Sequence, residues 1–177
     1  RKGAHEGLEV ENLNEKHEFL VEALRIAVSS KDQQKKAAKE KKKKNKAAAK
    51  DASIRPRSFV IDFKGDLKAS AVPSLREEVS AILDVATSDD EVIMRLENHG
   101  GVVHEHGLAA SQLVRIRDHN IPLTVCVDKV AASGGYLMAC VATEIHAAPF
   151  AILGSIGVLA QIPNFNRLLD SHGVDFE

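Results

Sequence analysis

Leu123-Thr-Val-Cys-Val-Asp-Lys-Val-Ala-Ala-Ser-Gly-Gly-Tyr-Leu-Met-Ala-Cys140 is a β-type run that gives way to small residues, one serine and a helix-forming run. It reads as a strand handing over to a helix, with Ser133 at the corner. A serine in that place has its hydroxyl at an exposed bend, and the backbone N–H groups after it start a helix without an intrahelical acceptor. Such donors can hold an oxyanion. The small neighbours Ala131, Ala132, Gly134 and Gly135 let a substrate carbonyl approach main chain that larger side chains would cover. Ser before Gly-Gly is also an ordinary helix N-cap, so this stretch alone leaves both nucleophile and cap open.

A second stretch repeats the design. Val92-Ile-Met-Arg-Leu-Glu-Asn-His-Gly-Gly-Val-Val-His104 is again a strand, a paired glycine and a helix. The turn at Gly100 and Gly101 would present another N–H, and two donors converging on one point make an oxyanion hole. Around these stretches the periodicity predicts strands at Ser58 to Phe63, Glu91 to Leu96, Ile121 to Val127 and Glu144 to Ala147. It predicts helices at Val72 to Val85, His104 to His119 and Gly134 to Val141, with a short last helix around Phe165, Leu168 and Leu169. Repeated strand-then-helix units imply an α/β domain with a largely parallel sheet and right-handed crossovers. Ligands in such sheets sit where strands end and helices begin, which is where both glycine motifs lie.

The 177 residues are enough for one domain and an appendage, and charge divides them. Residues 1–56 carry 15 basic and 9 acidic side chains, a net +6; residues 57–177 carry 9 and 16, a net −7. We therefore expect a helical, Lys-rich arm and linker over residues 1–56 and the folded domain from residue 57. From Glu9 to Ser30 the apolar Leu13, Leu20, Leu24 and Val28 fall on one helical face, widened by Phe19, Val21 and Ile26. That stripe calls for cover, by the folded domain, a second copy or a bilayer surface. Residues 31–50 are nearly all Lys and Ala, including Lys41 to Lys44, and read as a solvated, fraying helical spacer that could also lie against anionic lipid. Nucleic acid is not an expected partner, because aromatics for base stacking and Arg for base edges are missing from this run. Asp51 to Pro56 reads as a linker. Cys126 and Cys140 read as small apolar core residues, not a disulfide framework. No run of about 18 apolar residues exists, so no transmembrane helix is expected within the chain.

The two glycine units, with Asp128-Lys-Val-Ala-Ala-Ser-Gly-Gly-Tyr136, then Gly154-Ser-Ile-Gly-Val158 and Pro163-Asn-Phe-Asn-Arg167, resemble in content and order the S49 signal peptide peptidase family, in its bacterial SohB branch. The resemblance covers roughly residues 57–177. It implies a ClpP/crotonase-like fold of repeated ββα units and a membrane-associated serine endopeptidase that uses a Ser–Lys dyad. Carried over by position, Ser133 becomes the nucleophile, Gly134 one oxyanion donor, and the Gly100-Gly101 pair the other, with Gly101 favoured. Gly154, Ser155, Ile156 and Gly157 would form a substrate-binding rim strand; a buried strand with two glycine bends is the alternative. No metal and no organic cofactor is implied. The implied partners are a peptide or protein substrate, further copies of the chain in a homo-oligomer, and a membrane reached through an anchor outside this sequence. The implied location is the bacterial inner membrane, with the catalytic domain periplasmic.

The sequence departs from that family in two places. Asn98-His99 stands where Ser-Pro usually precedes the glycine pair, and the general-base lysine lies further along than Val174-Asp-Phe-Glu177. A serine hydroxyl is a weak nucleophile until a neutral, desolvated base takes its proton. Lys129, four residues before Ser133, reads as a surface residue. The 177-residue piece is accordingly expected to hydrolyse peptides no faster than its Ser133→Ala version.

Rival chemistries are weaker. His99, His104 and His106 do not share one helical face, so they are not expected to bind a metal. A Ser-His-Asp arrangement of the ClpP type would want a histidine within Ser155 to Ala160, where there is none, and His146 reads as structural. Crotonase-like acyl-CoA chemistry could use the same donors with Glu97 or Glu105 as base. A non-catalytic assembly scaffold is the third possibility.

Overall fold

The computed structural model describes residues 8–30, 33–40, 55–160 and 164–173. Its first helix, α1 (Leu13–Val28), begins at an Asn12 cap whose Oδ1 accepts from the N–H of Asn14 at 3.1 Å and of Glu15 at 3.4 Å. Asn12 in turn donates to Glu15 at 3.0 Å, a reciprocal cap. No residue of α1 is buried, and Leu13, Phe19, Leu20, Leu24, Ile26 and Val28 are all exposed. The folded domain therefore leaves the apolar stripe uncovered. Residues 33–40 are also helical, whereas Lys41 to Lys44 and residues 51–54 of the expected linker lie outside the described residues.

The rest alternates as expected. In order come β1 (Ser58–Gly65), α2 (Val72–Val85), β2 (Glu91–Asn98), α3 (Val103–Asp118), β3 (Leu123–Val127), β4 (Val130–Ala132), α4 (Gly134–Ala139), β5 (Glu144–Ala147), β6 (Ile152–Gly154) and α5 (Asn166–Ser171). All pairings in the sheet are parallel. β1 runs along one edge of β2 for its whole length, from Ser58 opposite Glu91 to Gly65 opposite Asn98. The other edge of β2 takes β3 first, at Val92 to Arg95, and then β4, with Ala131 opposite Asn98. β5 and β6 extend these two strands outward, against β3 and β4 respectively. Each of the last two units is thus strand, strand, helix. The chain is a mixed α/β fold on a parallel sheet.

One face of this sheet is dry. Alternate residues Ile61, Phe63, Val92, Met94, Leu96, Leu123, Val125 and Val127 point under α2 and α3, meeting Val72, Leu75, Val79, Ala109, Leu113 and Ile116. Full burial of each large aliphatic or aromatic side chain contributes about 1.5–3 kcal/mol. The opposite face is wet and ionic, carrying the paired Asp62 and Arg95 and a Lys64–Glu97–Lys129 cluster.

Four differences from the sequence expectations stand out. β2 runs two residues further than expected, to Asn98, because β1 and β4 pair with that residue from both sides. The second strands β4 and β6, three residues each, are too short to produce a period of their own. The stretch Gly154 to Val158 is not a strand: β6 stops at Gly154, where φ is +120°, and residues 155–160 are irregular. Neither cysteine is a core residue: Cys126 is half-buried on the ionic face opposite Arg95, Cys140 is exposed at the end of α4, and both are free thiols.

Candidate active site

Ser133 sits between β4 and α4 with φ 50° and ψ −117°, in a region that non-glycine residues occupy only under constraint. The constraint is visible. Its N–H donates to the Gly154 carbonyl at 2.8 Å, and its own carbonyl accepts from Leu137 N–H at 2.9 Å. Its side chain makes no capping bond to α4, so the N-cap alternative is not realised. The twist turns the residue out at the sheet's carboxyl end, half-buried, beside the Gly100-Gly101 turn.

The two glycine motifs meet here. A Cβ on Gly100 would come within 2.7 Å of Ser133 Cβ and 2.8 Å of the Gly134 nitrogen. Gly100 has φ +86°, which a side chain would resist even in open space. Its N–H is spent internally on Asn98 Oδ1 at 2.8 Å. Among the described residues, the N–H groups of Gly101 and Gly134 donate to no acceptor. Of the two glycines in the 100–101 pair, only Gly101 therefore has a donor to offer.

Three contacts hold the 100–101 turn in place. Leu67, in the loop after β1, accepts from Val102 N–H at 2.9 Å, and its carbonyl would lie 2.1 Å from a Cβ on Gly101. That loop is itself tied by Asp66, which accepts from Ser70 N–H at 2.8 Å and Ser70 Oγ at 2.6 Å. These bonds, the Ser70 hydroxyl foremost, hold the Asp66 carboxyl below the usual carboxylate range. On the inner side Asn98 and His106, both fully buried, back the turn. His106 places Nδ1 3.0 Å from the Val102 carbonyl and Nε2 3.3 Å from Asn98 Oδ1, and its ring covers the Cα of Gly134.

A cavity of about 270 Å³ opens over these groups, lined by Gly101, Ser133 and Gly134 on one wall and by Val103, Leu137 and Val158 among its apolar residues. Tyr136, Cys140, Ile156 and Gly157 complete it. Contact with the Cys140 thiol pushes the Tyr136 phenol above its ordinary value, so it stays neutral at physiological pH. Of the residues expected to bind substrate, Ile156 and Gly157 line this groove, and Gly154 reaches Ser133 through its carbonyl. Ser155 adopts φ 57° and is exposed.

The rival groups point elsewhere. Lys129 donates to Glu97 at 3.0 Å on the ionic face, and this bond is the main reason the Glu97 carboxyl lies below its usual range. Neither Glu97 nor Glu105 lines the Ser133 groove, and no lysine among the described residues does. The His106 nitrogens face Val102 and Asn98, His104 is exposed beside Glu105 at 3.5 Å, and His146 is exposed beside Glu144 at 3.1 Å. His99 is exposed at the turn.

Sequence reasoning missed the supports. Leu67 and His106 carry no local signature of their role. Asn98 does: Asn accepting from the N–H two residues on is an Asx-turn, and Asn-x-Gly is its ordinary sequence.

The chain is similar to known peptidases over most of its length. Residues 1–113 match the family described as Peptidase family S49 N-terminal, and residues 115–177 match Peptidase family S49. The chain is 63% identical over 122 residues to a probable protease SohB of Buchnera aphidicola subsp. Schlechtendalia chinensis, covering 69% of this chain and 40% of that protein. It is 63% identical over 119 residues to the probable protease SohB of Haemophilus influenzae, covering 67% and 34%, and 32% identical over 83 residues to Protease 4 of Salmonella typhi, covering 47% and 13%. The chain spans no more than two fifths of the length of these curated relatives. Among solved structures, an enoyl-CoA hydratase/isomerase family member aligns with TM-score 0.46 and 18% identity over 66% of this chain and 59% of that one.

Proposed function

The chain belongs to peptidase family S49, and from that premise we propose that the complete protein hydrolyses peptide bonds through an acyl-enzyme on Ser133. One observation carries the reading: Gly100 lies against Ser133, so the Gly101 N–H, the Gly134 N–H and the serine border the same groove. Ser133 Oγ attacks the scissile carbonyl carbon and passes its proton to a base. The carbonyl oxygen becomes an oxyanion held by the amides of Gly101 and Gly134, each such donor contributing on the order of 10²-fold or more in rate. Collapse expels the amine with the base's proton, and water repeats the sequence on the ester to release the acid and regenerate the serine.

The base is proposed to be a lysine, neutral through burial, in the part of the domain that follows Glu177. Lys129 is committed to Glu97 and does not serve. The 177-residue piece by itself is then inactive. The apolar groove beside Ser133 favours an uncharged side chain next to the scissile bond, with the substrate main chain running along residues 154–157. Assembly into a homo-oligomer and attachment to the inner membrane belong to the same proposal. Among the described residues no helix is long and apolar enough to cross a membrane.

The test is peptide hydrolysis by the complete protein and its Ser133→Ala variant. The reading expects loss of turnover; unchanged turnover of a CoA thioester by the variant would favour the acyl-CoA alternative instead.

A further inference from the structure

Resting on the reading of Gly101 and Gly134 as oxyanion donors, we propose that Asn98 and His106 are positioning residues that hold the two donor peptides at fixed places beside Ser133. Asn98 is the last residue of β2, with no exposed surface, and β1, β4, α3 and α4 all close on it. Gly65 of β1 lacks a side chain where one would strike the Asn98 amide at 2.4 Å. Gly135 of α4 lacks one where it would strike the Asn98 carbonyl at 2.3 Å. Met138 accepts from Nδ2 at 3.4 Å, and His106 of α3 lies at 3.3 Å from Oδ1.

A hydrophobic residue could fill that space. It could not accept the Gly100 N–H, which Asn98 Oδ1 takes at 2.8 Å. That bond fixes the peptide before Gly100, which at φ +86° is one residue's rotation away from the next N–H, that of Gly101. His106 completes the link, because the ring that meets the Asn98 amide also covers the Cα of Gly134. One amide and one imidazole thus touch both donor-bearing turns without lining the groove. They act through the main chain, and their loss should be felt in the transition state more than in substrate binding.

The experiment compares Asn98→Leu, Asn98→Asp and His106→Phe in the complete protein, with Ser133→Ala as control. Steady-state peptide hydrolysis, the rate of Ser133 phosphonylation by a fluorophosphonate, and the melting temperature are measured for each. Asn98→Leu is expected to lose about 10–100-fold in kcat with KM changed less than about threefold, and to slow phosphonylation in proportion. Asn98→Asp keeps the acceptor for the Gly100 N–H but buries a carboxylate beside Met138, so it should melt lower than the parent while keeping more of kcat than Asn98→Leu. His106→Phe keeps the ring over Gly134 and should fall between them. Full kcat in Asn98→Leu, or equal losses in the Leu and Asp variants that follow their melting temperatures, overturns the positioning role alone. Undiminished hydrolysis by Ser133→Ala overturns the catalytic reading, and the positioning role with it.

Discussion

Gly100 and Ser133, 33 residues apart in sequence, touch: a Cβ on the glycine would stand 2.7 Å from the serine Cβ and 2.7 Å from the Ala132 carbonyl oxygen. Neither obstacle is the far end of a flexible side chain. Gly100→Ala must therefore move the turn away from Ser133 or strain it, at a cost of about 1–3 kcal/mol. A lower melting temperature together with slower labelling of Ser133 is the expected outcome, read by thermal denaturation and fluorophosphonate kinetics.

Leu137 lines the groove and is 46% exposed, so a change there reaches substrate before it reaches the core. Leu137→Asp is expected to raise KM for peptides with an apolar residue at the scissile bond by about tenfold, the loss of roughly one buried aliphatic contact. The melting temperature should hold. Steady-state kinetics on paired peptides, one apolar and one basic at that place, check it.

Lys129 is bound to Glu97 on the face of the sheet away from the groove. Removing its amine by Lys129→Ala should leave peptide hydrolysis by the complete protein within about twofold of the parent, as expected of an exposed ion pair. A collapse of kcat with intact folding would move the base to this residue.

Asp90 is the buried acid that joins β1 to the loop before β2. It accepts from Arg57 Nη2 at 2.7 Å, Arg57 N–H at 2.7 Å and Thr87 N–H at 2.8 Å. The Arg57 guanidinium, foremost, holds its carboxyl far below the ordinary carboxylate value. A folded value lower than the unfolded one, about 4, contributes stability above that pH and loses it as the pH falls toward the folded value. Asp90→Asn should melt several degrees lower at pH 7, and the gap should shrink below about pH 4. Melting curves across pH 3–8 test this.

Much of this architecture was legible because its elements repeat a period. Val72–Val85 and Glu144–Ala147 have the bounds expected from hydrophobic spacing, and Ser133 stands at the strand-to-helix corner expected of it. What stayed hidden lies across the chain. The Leu67 carbonyl meets Gly101 from 34 residues away, and His106 reaches Gly134 from 28; no window of sequence contains either pair. The rim at Gly154 to Val158 misled for a different reason. Its β-prone Ile156 and Val158 follow two residues with positive φ, Gly154 and Ser155, and the ladder with β4 cannot continue past them. Cys140 misled because apolar composition at a helix end does not distinguish core from groove wall.

Peptidase chemistry in this fold stands or falls on the reactivity of one hydroxyl, that of Ser133. Treating the complete protein with a fluorophosphonate and mapping the adduct by mass spectrometry measures it directly. One phosphonyl group per chain on the peptide containing Ser133, absent from Ser133→Ala and accompanied by loss of peptide hydrolysis, is the predicted result. An unlabelled Ser133 in a protein that still cleaves peptides would contradict it.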